Sequence, residues 1–494
     1  MPTPLDQRKL DALRADADRF IAELDEEAYL HFAGHKPTYD LVPIYERHAE
    51  LTDLDTALAL GASVNGGRNV RELWRFACEG YLGKLVSEYD EKIAETETKT
   101  VRVGDEEIAY RDLRPRIANT EDREERRRLE LARNEATEER NELYVQKHEV
   151  VHRESARLGA LSYTELYRGG FRYPLDDLAA QCRALLDSTE RIWEDVGDRF
   201  FRSRIGIGLD EIERWDVSRV WRGVGWDRAF PKEQMVPALE VTLGELGVDL
   251  RGQQNVQLDL EDRPNKSPRA FCVPIEVPDR VILVIKPQGG PDDWRALFHE
   301  AGHTEHFAHT SPSLTVEERR LGDNALTEGW AMLLEQLTID PAWLDRRLDF
   351  SQPREFAAEG ATQILWLLRR YCAKLIYEIE FHSVDDVIAM RPRYVELLSD
   401  ALKVTPSDTD FLADIDESFY VSKYLRAWAF EAQLRAYLRE TFGNAWFTRK
   451  DAGSLLRELW SEGQKPTADE VLQDVTGATL ELEAAAERVR EALA

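Results

Sequence analysis

Two histidines and a glutamate within five residues form the most informative chemical pattern in this chain. His299, Glu300 and His303 stand in the order HEAGH, which is an HExxH motif. Residues four apart share one face of a helix, so both imidazoles can reach a single metal ion. Glu300 lies about 100° around the helix, where it can act on a water molecule without occupying a coordination position. The pattern predicts a metal site for hydrolysis.

The third ligand has two candidate sources, because catalytic zinc usually takes three protein ligands and leaves one position for water. His309 would supply it in the pattern HExxHxxGxxH, but that pattern needs glycine where this chain has His306. No glycine follows until Gly322, so nothing turns the chain to bring His309 back towards His299. We therefore expect His306 to pack against the helix or to support a ligand, and His309 to bind no metal.

A glutamate on the following helix is the second source. The stretch DNALTEGWAMLLEQL begins at good helix-capping residues and carries Glu328 in its first turns. Glu335 lies seven residues later and therefore on the same helical stripe. We predict Glu328 as the carboxylate ligand, supported by Glu335 or Asp323; a surface charge is the alternative for Glu335.

The motif and its surroundings resemble the thimet oligopeptidase and oligoendopeptidase F family of zinc metallopeptidases. HEAGHTEH is similar to the HEFGHALH of that family, and the family's ligand glutamate, 25 residues after the second histidine, corresponds to Glu328. Its next glutamate, seven residues further on, corresponds to Glu335. The stretch LWSEGQKPTADEVLQDVTGA is similar to the family's C-terminal segment. The resemblance covers roughly residues 265–490 with definite motifs.

The resemblance also implies which groups bind the substrate. FYVSKYLRAWAFEAQL is similar to a tyrosine-rich helix whose hydroxyls donate to the developing oxyanion; Tyr424 aligns best, and Tyr420, one turn earlier, is second. The extended stretch before the HExxH helix resembles an edge strand, so backbone groups around 271–276 are expected to bind the peptide. The chain reads FLADIDESFY where the family has a histidine and a glycine-rich loop, which indicates a divergent member.

The function implied by the resemblance is zinc-dependent hydrolysis of short, unfolded peptides, with one zinc ion per chain and Glu300 as general base. Two helical lobes around a deep channel are expected, with residues 1–200 as the N-terminal lobe and 201–494 as the catalytic lobe of one integrated unit. A carboxypeptidase Taq-type enzyme is an alternative, but its ligand glutamate lies in an HES-type motif, whereas Thr327 precedes Glu328. A non-catalytic zinc-binding protein would have no use for Glu300.

The elements that must position these residues are predicted to be mainly helical. Apolar residues recur at helical spacing over 5–30 and 50–90, and a long charged helix follows from Asn119 or Thr120. We expect its charged face, with His148 and His152, to lie in solvent. VRVGDEEIAY (101–110) predicts a small hairpin, and the Val- and Ile-rich stretch 269–290 is the one convincingly extended region. A small sheet should therefore lie beside the zinc helix.

Composition excludes several classes of partner. A formal charge of −29 argues against nucleic acid and anionic membranes, and a hydrophobic content of 43% suffices for a large core. No apolar run reaches about 18 residues and the N-terminus lacks a signal-peptide core, so we expect a cytoplasmic protein. The cysteines are expected to be buried free thiols: Cys78, Cys182, Cys272 and Cys372.

Overall fold

The computed structural model describes residues 4–348 and 350–493. It is mainly α-helical with two small sheets, so the predicted fold class is confirmed. The α-helices, in chain order, are α1 Gln7–Phe32, α2 Val42–Arg47, α3 Leu54–Gly61, α4 Arg68–Thr98, α5 Tyr110–Asn119, α6 Arg123–Ser155, α7 Tyr163–Glu165, α8 Leu175–Ile205, α9 Arg214–Trp221, α10 Met235–Glu245, α11 Pro291–His309, α12 Asn324–Glu335, α13 Pro341–Arg347, α14 Pro353–Phe381, α15 Arg391–Leu402, α16 Tyr420–Phe442, α17 Lys450–Ser461, α18 Ala468–Thr476 and α19 Glu483–Leu493.

The strands form one hairpin and one three-stranded sheet. The predicted hairpin is present, with β1 (Thr100–Val103) antiparallel to β2 (Glu106–Ala109) and Gly104 at positive φ in the turn. The second sheet has the order β3-β5-β4, in which β4 (Phe271–Glu276) and β5 (Arg280–Val284) are the predicted extended stretch. β3 (Val256–Asp259), which runs parallel to β5, was not predicted, because only four residues pair. β4 is consequently an edge strand.

The apolar face of the three-stranded sheet packs against helices. Tyr29 of α1 and Ala33, which follows this helix, are buried against Val273 and Ile275 of β4. The largest core cluster runs from Leu10 near the N-terminus to Val489 in the last helix. The predicted lobe boundary at residue 200 falls within α8. The N-terminal helices therefore contact the same sheet that lies beside α11.

The long charged helix differs from its prediction at two points. Its N-cap is Asp122, whose side chain accepts a hydrogen bond from the Glu125 amide, so the predicted start at Asn119 or Thr120 is wrong. Its charges are also not all in solvent, since Arg126 is buried against the equally buried Asp216 at 2.7 Å. The expectation of surface histidines is wrong for His148, which is buried, because α14 and the loop before α16 cover this face.

Helices α11, α12 and α16 pack unusually closely, and glycine makes this possible. A Cβ atom on Gly302 of α11 would lie 2.4 Å from Cα of Ala331 and 2.5 Å from the carbonyl oxygen of Trp330, both on α12. A Cβ atom on Gly329 of α12 would lie 2.4 Å from the ring of Phe430 on α16. Side chains that project between these helices are therefore held within a few ångströms of each other.

Two other expectations concern cysteines and membranes. All four cysteines are free; three are buried, and Cys272 on β4 is half-buried. Within the described residues, no helix is long and apolar enough to cross a membrane.

Candidate active site

Helix α11 presents both motif histidines on one face. It begins at Pro291, with Asp292 and Asp293 in its first turn, because a proline at the first position and acidic residues after it favour a helix N-terminus. The imidazoles of His299 and His303, four residues apart, lie with their ring centroids 4.9 Å from each other. The HExxH spacing therefore produces the shared face that the sequence predicted.

Helix α12 brings a carboxylate to this face. Oε2 of Glu328 lies 3.5 Å from Nε2 of His299 and 3.7 Å from Nε2 of His303. One ligand atom from each of the three residues lies within 4.8 Å of the others, in a group of the size that can hold a metal ion. The structure thus brings together the three residues that were predicted as ligands.

The opposite nitrogen of each imidazole is held by a hydrogen bond. Nδ1 of His299 lies 2.9 Å from Oε2 of Glu335, and Nδ1 of His303 lies 2.8 Å from the hydroxyl of Thr327. A carboxylate can only accept, so Nδ1 of His299 carries a proton, and the other ring nitrogen, Nε2, faces the shared point. Glu335 is itself held by Arg295 at 2.8 Å. Such contacts fix the orientation of metal-binding histidines.

The two predicted supporting acids separate in the structure. Glu335 contacts His299, whereas Asp323 caps α12 at the Ala325 amide and binds Arg426 at 2.8 Å, away from the ligands. Sequence reasoning did not identify Arg295 or Thr327. Thr327 was detectable in principle as the neighbour of Glu328, but no local pattern links Arg295 to Glu335 across 40 residues.

Glu328 has one oxygen fixed and one open. The hydroxyl of Tyr420 donates to Oε1 at 2.7 Å, while Oε2 is buried and has no hydrogen-bond partner among the described residues. A buried carboxylate oxygen without a donor is costly unless another group compensates it. The position and chemistry of this oxygen, together with two imidazole nitrogens, fit a divalent ion such as zinc.

The predicted general base, Glu300, lies between the group of three predicted ligands and the edge strand of the sheet. The amide of Cys272 on β4 donates to Oε2 of Glu300 at 2.8 Å. In the protein alone, burial raises the pKa of Glu300 to about 7, the charge of His299 opposes this, and the charge of Glu328 adds to it. Burial also lowers the pKa of His303 to about 4, which keeps that imidazole neutral.

The two predicted tyrosines have different surroundings. Tyr420 is committed to Glu328, as described above, and its ring centroid lies 5.1 Å from that of Tyr424. The ring centroid of Tyr424 also lies 5.5 Å from that of Tyr371 on α14. The hydroxyl of Tyr424 makes no hydrogen bond within the described part of the chain. Burial raises the pKa of Tyr424, and Glu328 adds to the shift, so the phenol stays protonated and able to donate.

The remaining two histidines of α11 do not belong to the group formed by His299, His303 and Glu328. His306 is fully buried beside the ring of Phe307, and burial lowers its pKa to about 3. His309 lies 2.9 Å from the carbonyl oxygen of Glu305 and packs against Trp460. The structure places both as packing residues.

Comparison with known proteins identifies the fold. No protein-family model matches the chain, and no curated protein sequence matches it. Two solved structures are similar over nearly the whole chain. One, assigned as an oligoendopeptidase F from Bacillus anthracis, has a TM-score of 0.62, 16% identity, and coverage of 99% of this chain and 86% of its own. The other, PZ peptidase A with an inhibitor, has a TM-score of 0.64, 16% identity, and coverage of 100% and 87%. The resemblance noted in the sequence is therefore confirmed at the level of the fold.

Proposed function

We propose that this protein, which has the fold of these peptidases, is a zinc-dependent metallopeptidase that hydrolyses peptide bonds in short, unfolded peptides. The observation that carries the proposal is the convergence of His299, His303 and Glu328 around one point, where Oε2 of Glu328 has no hydrogen-bond partner among the described residues. Two nitrogens and one oxygen are the ligand set of hydrolytic zinc enzymes, which keep a fourth position for water.

The proposed division of labour follows from the contacts. His299, His303 and Glu328 hold one zinc ion per chain. Zinc, when bound, polarises the scissile carbonyl and lowers the pKa of its water ligand to about 7. Glu300 accepts the proton of the attacking water at Oε1, since Oε2 is held by the Cys272 amide, and later delivers the proton to the leaving amine.

Tyr424 is the proposed donor to the oxyanion, because its hydroxyl is uncommitted and its ring lies beside that of Tyr420. Tyr420 is proposed to position Glu328 rather than to contact the substrate. Glu335, held by Arg295, would orient His299. Peptides are the proposed partners, and the charge of −29 gives no support for nucleic acid as a ligand.

A single substitution tests the proposal. Glu300→Gln keeps the shape of the side chain but removes the proton acceptor, so hydrolysis of a mixed quenched-fluorescent peptide library should fall by at least about 10²-fold. Zinc content, measured by elemental analysis of the purified protein, should stay at one ion per chain. Glu305→Gln is the matched control, since Glu305 is on the same helix but pairs with Gln253 at 3.0 Å, and it should keep full activity.

Two results would contradict the proposal. Full activity in Glu300→Gln would exclude Glu300 as the base. A wild-type protein that binds zinc but cleaves no peptide, with or without added zinc, would favour a non-catalytic zinc-binding protein.

A further inference from the structure

The edge strand beside Glu300 fixes where a peptide can run. β5 pairs with one side of β4, and the opposite side is the free edge of the sheet. The amide of Cys272 points away from β5 and reaches Glu300, so Cys272 is the residue of the edge that contacts the proposed general base. Successive outward-facing residues of a strand alternate with those that face its partner, so the next outward positions are Ala270 and Pro274.

Beyond Cys272, in the direction of Pro274, a side chain already hydrogen-bonds to the edge of β4. The guanidinium of Arg320 donates to the carbonyl oxygen of Pro274 at 2.7 Å and to that of Ile275 at 3.0 Å. This side chain is only 3% exposed. In the other direction, no described side chain hydrogen-bonds to the backbone of Ala270. The edge of β4 is therefore blocked on the Pro274 side of Cys272 and open on the Ala270 side.

Arg320 belongs to a short segment, Glu317–Leu321, which we call the wall. Three ion pairs fix the wall to α1: Glu317 to Arg14 at 2.7 Å, Arg319 to Asp18 at 2.7 Å, and Arg320 to Asp25 at 2.5 Å. Arg75 of α4 adds a hydrogen bond to the carbonyl oxygen of Leu321. Since α1 and α4 both hold it, the wall is a fixed part of the structure beside the edge of β4.

We propose that the wall closes one end of the substrate groove, so that the enzyme releases fragments of about two residues from one end of its peptides. This inference rests on the proposed peptidase function. A peptide residue added beside β4 lies opposite Cys272, the next lies opposite Val273, and each advances about 3.3 Å. A third would lie opposite Pro274, where the Arg320 guanidinium already takes the carbonyl.

The test is a map of cleavage positions. Unlabelled peptides of 6, 9 and 12 residues, built around one common central sequence, are incubated with the zinc-loaded full chain, and the products are identified by mass spectrometry. Every cleavage should leave about two residues on one and the same side, so acetylation of the N-terminus and amidation of the C-terminus should affect cleavage unequally. Cleavages with four or more residues on both sides would overturn the inference.

A double substitution shows whether the wall sets this limit. Arg320→Gln with Asp25→Asn removes the pair without leaving a buried charge alone, and it weakens the block at Pro274. Cleavage should then also occur at positions that leave three or more residues on the formerly closed side. The rate of cleavage at these positions should be at least about 10-fold higher than in the wild type. Arg319→Gln with Asp18→Asn removes an equivalent tie between the wall and α1 that does not touch β4, and it should leave the cleavage map unchanged.

The outcomes separate the two proposals. If no peptide is cleaved, the proposed function fails. If peptides are cleaved but the wild-type map shows no limit, or both double variants change the map alike, the function stands and the role of the wall is wrong. Binding of the same peptides to Glu300→Gln, measured by calorimetry, gives a second readout: extension beyond two residues on the closed side should not improve affinity.

Discussion

The hydroxyl of Tyr420 lies 2.7 Å from Oε1 of Glu328, and the other oxygen of that carboxylate faces His299 and His303 with no hydrogen-bond donor among the described residues. One tyrosine of the α16 helix is therefore used to hold a proposed metal ligand. The hydroxyl of the second, Tyr424, one turn later, makes no hydrogen bond within the described residues, and its ring lies beside that of Tyr420. Two similar residues on one helical face thus acquire different expected roles.

Removal of each hydroxyl should have a distinct effect. Tyr424→Phe should lower kcat by about 10²- to 10³-fold with unchanged zinc affinity, because an oxyanion donor acts only in the transition state. Tyr420→Phe should weaken zinc binding by about 10- to 100-fold, because it frees Glu328 to turn. Steady-state kinetics and competition with a chelator measure the two effects. The assignment is wrong if the two variants exchange these properties.

The Glu335 carboxylate should control the affinity of His299 for the metal. Glu335→Gln removes the charged acceptor at Nδ1 and the ion pair to Arg295, so zinc affinity should fall by about 10- to 100-fold. Chelator competition at fixed pH measures this loss, and circular dichroism checks that the helices remain. Glu305→Gln on α11 serves as control. Equal zinc affinity in wild type and Glu335→Gln would contradict the role.

Gly302 should be indispensable for the approach of α11 to α12. Alanine normally favours a helix over glycine by about 1 kcal/mol, but here its Cβ would lie 2.4 Å from Cα of Ala331. Gly302→Ala should therefore destabilise the fold by about 1–3 kcal/mol, as overpacking does. Gly244→Ala on α10, with no atom within 4 Å of the added Cβ, should be neutral or stabilising in the same urea titrations. Stabilisation by both substitutions would refute the packing argument.

Stability should fall in mild acid because two buried histidines, His148 and His382, lie close to the partly buried His152. Burial lowers the pKa of His148 to about 3 and of His152 to about 4, and it also lowers the pKa of His382 well below its usual value. Between about pH 6.5 and pH 4 the unfolded chain binds protons that the folded chain does not, so the free energy of unfolding falls as pH falls. The loss is at most about 1.4 kcal/mol per pH unit for each histidine.

The matched variant for this effect is His152→Gln, which removes one proton-binding group of the cluster. Urea titrations at pH 7, 6 and 5 should show a smaller loss of stability between pH 7 and pH 5 than in wild type. An unchanged slope would show that His152 is protonated in the folded protein as well.

The sequence was most informative where spacing along one helix decides the geometry. The shared face of His299 and His303, the start of α11 at Pro291 and the capping of α12 by Asp323 all follow from helical periodicity and capping chemistry. The hairpin at Gly104 and the extended stretch before α11 follow from turn and β-branched residues in the same way. These features depend on contacts between residues close in the chain.

The sequence was least informative where a feature depends on what covers it. The charged pattern of α6 predicted a solvent-exposed face, but α14 and the loop before α16 bury His148 there. β3 is only four residues long, and its identity as a strand depends on β5 beside it. The carbonyl oxygens of Pro274 and Ile275, expected to be available for a peptide, are taken by Arg320 from a separate segment.

By itself, the sequence predicted a metal-binding helix that carries a general base, and the resemblance of its motifs indicated which glutamate and tyrosines to consider. Only the tertiary structure decided which oxygen of Glu328 faces the imidazoles, that Tyr420 rather than Tyr424 holds it, and that Glu335 rather than Asp323 supports His299. The physical reason is that helical periodicity orders side chains along one helix. Distances between helices depend instead on packing, as at Gly302 against Ala331, between residues 29 positions apart.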